Sequence, residues 1–228
     1  MSAPVRLGIA IWSDVMCPWC VIGYYQLRRA LAELDGEVEA DVVWRPFELN
    51  PDMPPEGEDM AAHMLRKYGR PPSQSLSAQM EAVAREAGYA MRYLDDGPEP
   101  PRRLWNTLAA HKLLHWALGR HGADAQTRLK LALFDAHFQQ RRDISNCEIL
   151  FGIAESAGLA MDGAQDAMGS EALTALIREE ERKAMDMGIT SVPMMLVEQR
   201  FMIPGAQDLE TYKAYLRKVA GRMTDANR

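Results

Sequence analysis

The sequence has few cysteines and no apolar run long enough to cross a membrane, and each of these absences excludes a class of protein. Only 3 of the 228 residues are cysteine, so they cannot all pair within one chain. This excludes a framework of structural disulfides and is typical of a reducing compartment. No apolar stretch approaches the roughly 20 residues that cross a bilayer, and the N-terminal apolar run is too short for a signal peptide. We therefore expect a cytoplasmic protein with no membrane partner.

Charge is not concentrated in any part of the sequence. The formal net charge is −6, and no run of like charges occurs. Nucleic acids and anionic membrane surfaces attract basic patches, so neither is an expected partner. A length of 228 residues allows one large domain or two modest ones with a substantial hydrophobic core.

The most informative stretch is C-P-W-C at residues 17–20. It follows the apolar run Leu7–Trp12, a predicted buried strand, and precedes Val21–Leu34, a predicted helix. Residues three apart on a helix lie on one face, with Cβ atoms about 5–6 Å apart, and this separation suits a disulfide that opens and closes. Cys17 is the candidate nucleophile and Cys20 the candidate resolving thiol.

The predicted place of Cys17 at a helix N-terminus favours its thiolate. Unpaired N–H groups and the helix dipole stabilise an anion there, so we expect the pKa of Cys17 to fall below about 8.5. Pro18 suits the first helical turn because the N–H that it lacks would be unpaired. The alternatives are two unreactive buried cysteines or half of a zinc site. No second C-x-x-C or nearby Cys/His pair completes such a site, so no metal is expected.

Patterns along the rest of the chain predict an α/β fold whose sheet is divided between the two ends of the chain. Residues 39–47 are a predicted strand that completes a βαβ unit. Residues 194–197 and 201–203 predict a hairpin, and residues 208–219 a last helix, which together form a ββα unit. The predicted parts are 1–57 and 188–228, which form the sheet-containing domain, and 58–187, a large all-helical insertion.

The insertion is predicted to be helical because its apolar residues recur at helical spacing. Helix starts are indicated by Asn146 and Ser170, which are residue types that cap helices. The helices predicted here span residues 59–68, 77–87, 104–118, 124–138, 146–158 and 170–187.

Four blocks occur in order along the chain: S-D-V-x-C-P-W-C at 13–20, W-R-P-F-x-L-N-P at 44–51, A-H-x-L-L-H-W-A at 110–117 and G-I-T-x-V-P at 188–193. Together they resemble the DsbA family, which has a thioredoxin-like fold, and more closely its cytoplasmic FrnE-like branch. The resemblance covers nearly the whole chain. It implies a thiol–disulfide oxidoreductase that acts on thiol or disulfide substrates, as a monomer or homodimer. It implies no cofactor other than glutathione as a co-substrate.

The resemblance also assigns residues to the site. In the family, the proline that matches Pro193 is cis and lies beside the cysteines, so Val192 and Pro193 are expected to position a substrate with Pro18 and Trp19. A cis bond is cheapest before proline, and the backbone of Val192 is then free to pair with an extended segment. The alternative is that Pro193 merely begins a strand. Periplasmic members often carry histidine where Trp19 stands, so a milder oxidant is expected.

Four polar residues are weaker site candidates: Asp14, Asn50, Asn106 and His111. Asp14 is expected to cap the entry to the first helix, with removal of a proton from Cys20 as the alternative. The other three are candidates for the wall of a substrate groove. His111 and His115 lie four residues apart on a predicted helix, but without a third ligand they indicate a buried or half-buried face rather than a metal site.

A sister branch of the family resembles 2-hydroxychromene-2-carboxylate isomerase and the kappa-class glutathione transferases. This suggests an alternative, a glutathione-dependent isomerase or transferase acting on a small aromatic or polyketide-like molecule in an apolar pocket. Those relatives generally place serine where Cys17 stands and do not need Cys20, so the presence of both cysteines favours the oxidoreductase. A non-catalytic binding module is a third interpretation. Cys147 has no identifiable partner and is expected to be a passive thiol.

Overall fold

The computed structural model describes residues 3–226, which form a four-stranded mixed sheet surrounded by helices. In chain order the elements are β1 (Val5–Ser13), α1 (Pro18–Glu33), β2 (Val38–Pro46), β3 (Glu58–Asp59), α2 (Met60–Tyr68), α3 (Gln74–Ala87), β4 (Arg103–Leu104), α4 (Leu108–His121), α5 (Ala123–Phe138), α6 (Cys147–Ser156), α7 (Ala164–Gly169), α8 (Glu171–Asp186), β5 (Met194–Val197), β6 (Phe201–Pro204) and α9 (Leu209–Ala226). Over the described residues, no helix is long and apolar enough to cross a membrane.

The sheet joins the two ends of the chain at β1. Its strand order is β2-β1-β5-β6, with β1 and β2 parallel and the other two pairs antiparallel. Leu7, Ile9 and Ile11 of β1 are buried because this strand lies in the middle of the sheet. The predicted α/β fold class, with a mixed sheet and a helical insertion, is confirmed. The C-P-W-C motif follows the carboxyl end of the central strand.

The helices between β2 and β5 pack against both the sheet and the start of the motif. Phe134 of α5 shares a hydrophobic cluster with the sheet and α1. Val15 and Met16, just before the motif, belong to a second cluster with Ala110 and Leu113 of α4. The insertion therefore contributes directly to the surroundings of the cysteine pair.

Several local features differ from the sequence prediction, and the last helix extends to Ala226 rather than ending at residue 219. Helix α4 begins at Leu108 rather than at residue 104, because Arg103–Leu104 pairs with Glu58–Asp59 as a small antiparallel sheet. The short helix Ala164–Gly169 was not predicted at all. By contrast, the predicted hairpin between β5 and β6 is confirmed.

Gly57 closes the loop before the small sheet, and replacing it should be costly. Its φ is +68°, and an added Cβ would lie 2.5 Å from the Leu104 carbonyl oxygen and 2.6 Å from Trp105 Cε3. Gly36 is a matched control because its φ is +77° but nothing lies within 4 Å of an added Cβ. Gly36→Ala should lower the free energy of unfolding by about 1–2 kcal/mol, the strain of a left-handed conformation. Gly57→Ala should lower the free energy of unfolding by roughly 1–3 kcal/mol more than Gly36→Ala does, because its Cβ would overlap with Leu104 and Trp105. Equal losses in urea unfolding would contradict the steric argument.

Candidate active site

Cys17 and Cys20 lie at the junction of β1 and α1, one helical turn apart. Cys17 is the N-cap of α1, and its Sγ accepts a hydrogen bond from the backbone N–H of Cys20 at 3.3 Å. Pro18 occupies the first turn, as predicted. Both cysteines are free thiols, so this geometry belongs to the reduced pair. The motif therefore holds two sulfur-bearing side chains next to each other at a helix N-terminus.

The segment before β5 meets the motif from the other side. The Val192–Pro193 peptide bond is cis. Cys17 Sγ lies 3.6 Å from the carbonyl oxygen of Val192, to which the thiol donates. A Cβ added at Gly23 of α1 would lie 3.2 Å from Pro193 Cγ, so glycine there permits this close approach. The structure thus brings the C-P-W-C motif and the Val-Pro pair into one site.

Cys17 is buried, and its thiol is less acidic than the sequence predicts. It is only 3% exposed, whereas Trp19 beside it is 44% exposed. The pKa of Cys17 is raised well above its ordinary value, first by burial, then by the neighbouring Cys20 thiol and the charge of Asp14, against a lowering by the Cys20 N–H. The expected fall in pKa is therefore wrong for the reduced conformation, because desolvation of the thiolate outweighs the helix N-terminus.

Asp14 is fully buried below the motif but does not cap the helix as predicted. Its Oδ2 accepts a hydrogen bond from the Leu49 N–H at 2.7 Å, and its Oδ1 accepts one from the Met16 N–H at 3.4 Å. The capping position is occupied by Cys17 instead. Asp14 therefore ties the approach to the motif to the loop after β2.

Two basic side chains of the insertion, His111 and Lys130, act on Asp14. Burial alone would raise the pKa of Asp14, but its interaction with His111, with smaller contributions from the Leu49 N–H and Lys130, lowers it overall. His111 Nε2 lies 3.8 Å from Asp14 Oδ1. Asp14 is thus held as a carboxylate beneath the cysteine pair by groups from α4 and α5.

Lys130 is a completely buried lysine that the sequence reasoning missed. Its Nζ donates to the Ser13 carbonyl at 3.2 Å and lies 5.2 Å from the centre of the Trp44 ring. Burial lowers its pKa to about 8, opposed by the charges of Cys20, Asp14 and Cys17, in that order. One signal was available, because Lys130 lies three residues before Leu133, on the face of α5 that packs inward.

The remaining amide candidates, Asn50 and Asn106, are half-buried and make hydrogen bonds to neighbouring segments. Asn50 Oδ1 accepts from Lys67 Nζ at 2.7 Å. Asn106 donates through Nδ2 to the Met53 carbonyl at 3.1 Å and accepts through Oδ1 from the Leu108 N–H at 3.0 Å. Their role in substrate binding stays a prediction.

His111 and His115 occupy a buried and a half-buried position on α4. His111 is only 2% exposed, so it does not form the wall of an open groove as predicted. The reason is that this part of α4 packs under the motif. His115 Nε2 lies 3.8 Å from Glu180 Oε1. Among the described residues, no three His, Cys, Asp or Glu side chains are grouped so that they could hold a metal ion.

Glu48 is a second buried carboxylate close to the site. Its backbone N–H donates to Glu181 Oε1 at 2.8 Å, and its Oε1 accepts from Arg178. Burial and then the charge of Glu181 raise the pKa of Glu48 to about 8; Arg178 opposes this, and Asp14 adds to it.

This raised pKa predicts a pH-dependent cost to stability. The folded state binds more protons than the unfolded state between the ordinary pKa of 4.5 and about 8, so the contribution of Glu48 to stability falls as pH rises through this window. Near the lower end of this pH window, we expect Glu48→Gln and the wild type to have the same free energy of unfolding. Above the upper end of the window, the free energy of unfolding of Glu48→Gln should be higher by roughly 2–4 kcal/mol. Urea unfolding at several pH values measures the difference, with Glu155→Gln, on the exposed side of α6, as control. A difference independent of pH would contradict the assignment.

Residues 8–217 match the family model described as DSBA-like thioredoxin domain. The match covers most of the chain, so the protein belongs to this family. Its members are thiol–disulfide oxidoreductases or isomerases. The predicted family and thioredoxin-like fold are confirmed.

Three known proteins are similar to this chain over most of its length. The structure of a probable DsbA oxidoreductase, SCO1869 from Streptomyces coelicolor, is 29% identical with a TM-score of 0.79, covering 94% of this chain and 90% of that one. The uncharacterized protein YwbO from Bacillus subtilis (strain 168) is 28% identical over 216 residues, covering 92% of this chain and 95% of YwbO. A 2-hydroxychromene-2-carboxylate isomerase is 13% identical with a TM-score of 0.66, covering 96% and 98% respectively, and shares the fold.

Proposed function

We propose that this protein is a thiol–disulfide oxidoreductase, with Cys17 as the nucleophile and Cys20 as the resolving thiol. The observation that carries the proposal is the contact of Cys17 Sγ with two backbone groups, the Cys20 N–H and the Val192 carbonyl. The first group belongs to the helix N-terminus, where an anionic sulfur is stabilised. The second belongs to the segment expected to receive a substrate chain.

The reaction transfers two electrons in two exchange steps. The Cys17 thiolate attacks one sulfur of a substrate disulfide, forming a mixed disulfide and releasing one substrate thiolate. Cys20 then loses its proton and attacks Cys17 Sγ, which forms the Cys17–Cys20 disulfide and releases the second substrate thiolate. The two protons lost by the cysteines balance the two gained by the products. A thiol co-substrate such as glutathione restores the reduced pair, and a cytoplasmic location would favour this direction.

A substrate disulfide can reach Cys17 only if the groups that bury its thiol move. The thiol is buried and donates to the Val192 carbonyl in the reduced state. We propose that an extended substrate segment pairs with the backbone of Val192 and replaces this contact, in the manner of a strand added to a sheet edge. Trp19, exposed at the same end of α1, offers apolar area for the substrate next to Pro18. Pro193 is buried, so its part is to position the backbone of Val192.

Insulin disulfide reduction tests the proposed activity, with Cys147→Ser as the control variant. Cys147 is an exposed thiol at the first position of α6, outside the site, so we expect its replacement to leave the rate within about twofold of the wild type. The wild type should reduce insulin faster than the thiol reductant alone. A rate equal to that of the reductant alone would overturn the proposed function.

A further inference from the structure

We propose that Gly23 is a positioning residue that lets the Val192–Pro193 segment lie against Cys17, and that this packing makes the site favour disulfides carried on an extended chain over small disulfides. The inference rests on the proposed function and names the class of substrate that the same site accepts. Gly23 does not contact the substrate, because it acts through Pro193 and Val192.

Gly23 is a buried glycine inside helix α1, one turn after Cys20 on the same face. An added Cβ would lie 3.2 Å from Pro193 Cγ, 3.3 Å from Tyr212 Oη and 3.4 Å from Ala206 Cα. These atoms belong to the residue before β5, to helix α9 and to the loop after β6. Glycine inside a helix is less stable than alanine, but it allows another segment to approach closely. Gly23 is therefore a point at which three segments from the C-terminal part of the chain approach α1.

The atoms around Gly23 cannot yield by rotation of a single side chain. Tyr212 has no exposed surface, and its hydroxyl donates to the Gly205 carbonyl at 3.5 Å and accepts from the Gln207 N–H at 3.4 Å. The Gly205 N–H in turn donates to the Pro193 carbonyl at 2.8 Å. A methyl group at residue 23 would therefore move Pro193 and its bonded partners together, away from α1, by a few tenths of an ångström.

The Val192 carbonyl, next in the chain to Pro193, covers the reduced Cys17 thiol. Cys17 Sγ donates to this carbonyl at 3.6 Å and is buried. Both effects keep the proton on the sulfur, since a hydrogen bond donated by the thiol and the loss of water disfavour the thiolate. A displacement of Pro193 away from α1 would lengthen the contact and uncover the sulfur. The close packing at Gly23 therefore holds Cys17 in its covered, protonated form.

An extended chain can remove this cover, whereas a small aromatic disulfide cannot. When the chain pairs with this segment, one of its backbone N–H groups donates to the Val192 carbonyl in place of the thiol. The Cys17 thiol then loses its proton to solvent and attacks one substrate sulfur as a thiolate, which releases the other sulfur as the leaving thiolate. A disulfide without a backbone has no N–H to offer, so it meets the covered thiol.

Two disulfides with the same leaving group measure this selectivity in a Cys147→Ser background. One is Ellman's reagent, a small aromatic disulfide, and the other is an unstructured peptide whose single cysteine carries thionitrobenzoate. Attack by Cys17 releases thionitrobenzoate from either one. We expect Gly23→Ala to raise the initial rate with Ellman's reagent at least about threefold and to lower the rate with the peptide at least about threefold, since small misplacements have large kinetic effects. The ultraviolet absorbance of the thiolate at neutral pH should rise in the same variant.

Gly152→Ala is the matched control, because Gly152 also lies inside a helix but nothing lies within 4 Å of an added Cβ. Both of its rates should stay within about twofold of those of the background protein. A ratio of the two rates that is unchanged in Gly23→Ala, or that shifts toward the peptide, would overturn the proposal, because it indicates a merely structural role.

Tyr212→Phe provides a second variant if Gly23→Ala does not fold. It removes the hydroxyl that binds Gly205, so the Val192–Pro193 segment is held less firmly, and the ratio of the two rates should shift toward Ellman's reagent. An unchanged ratio in this variant would then overturn the proposal. Failure of the proposed function is distinct, since the background protein would release no thionitrobenzoate from either disulfide.

Discussion

Cys17→Ser is expected to lower the rate of disulfide exchange at least about 1,000-fold, because a serine hydroxyl does not attack sulfur as a thiolate does. The effect should be this large because Cys17 alone contacts both the helix N-terminus and the Val192 carbonyl. Serine fits the same space and still accepts the Cys20 N–H, so folding should be preserved. Insulin reduction measures the rate, and urea unfolding checks that the variant is folded.

The comparison with Cys147→Ser distinguishes the reactivity of the site from that of any exposed thiol in the protein. Cys147 is the exposed cysteine and Cys17 a buried one. If solvent exposure governed reactivity, loss of Cys147 would be the more damaging change. Retention of more than about a tenth of wild-type activity in Cys17→Ser would contradict the nucleophile assignment.

Cys20→Ser should abolish turnover but leave the first exchange intact. Without the resolving thiol, the mixed disulfide on Cys17 cannot be released from within the chain, so we expect turnover to fall at least about 100-fold. The trapped adduct should accumulate and be detectable on the Cys17 peptide by mass spectrometry. The wild type under the same conditions should show the Cys17–Cys20 disulfide instead.

The same variant distinguishes the oxidoreductase from a glutathione-dependent isomerase or transferase. The isomerase relation rests on fold alone at 13% identity. An enzyme of that kind needs no second cysteine, so its activity would survive Cys20→Ser nearly unchanged. Full activity of Cys20→Ser, with no trapped adduct, would favour the isomerase and contradict the two-step mechanism.

The motif and its immediate surroundings could be predicted because their signals are local. A strand, Pro18 in the first helical turn and cysteines one turn apart together fix where Cys17 lies, and the structure places it at the N-cap. The hairpin was also predicted, although its turn lacks Asn-Gly. Glu198 and Gln199 adopt the positive φ values, 51° and 52°, that such a turn requires.

The electrostatics of the site could not be predicted because they depend on distant contacts. The pKa of Cys17 follows from burial as well as from the helix end, and burial is set by segments far along the chain. Lys130 and Glu48 were missed because lysine and glutamate are ordinarily surface residues. Their burial depends on how α5 and α8 pack around the sheet. The predicted domain boundaries, and the monomer or homodimer state, stay predictions.

The central claim is that Cys17 and Cys20 form a reversible disulfide couple. The most direct measurement is equilibration of the Cys147→Ser protein in glutathione buffers of graded potential, followed by acid quenching and peptide mass spectrometry. We predict a single two-electron transition in which the Cys17 and Cys20 peptides become joined, and from which the reduction potential follows. A pair that stays as two thiols across the whole range, or that yields only glutathione adducts, would contradict it.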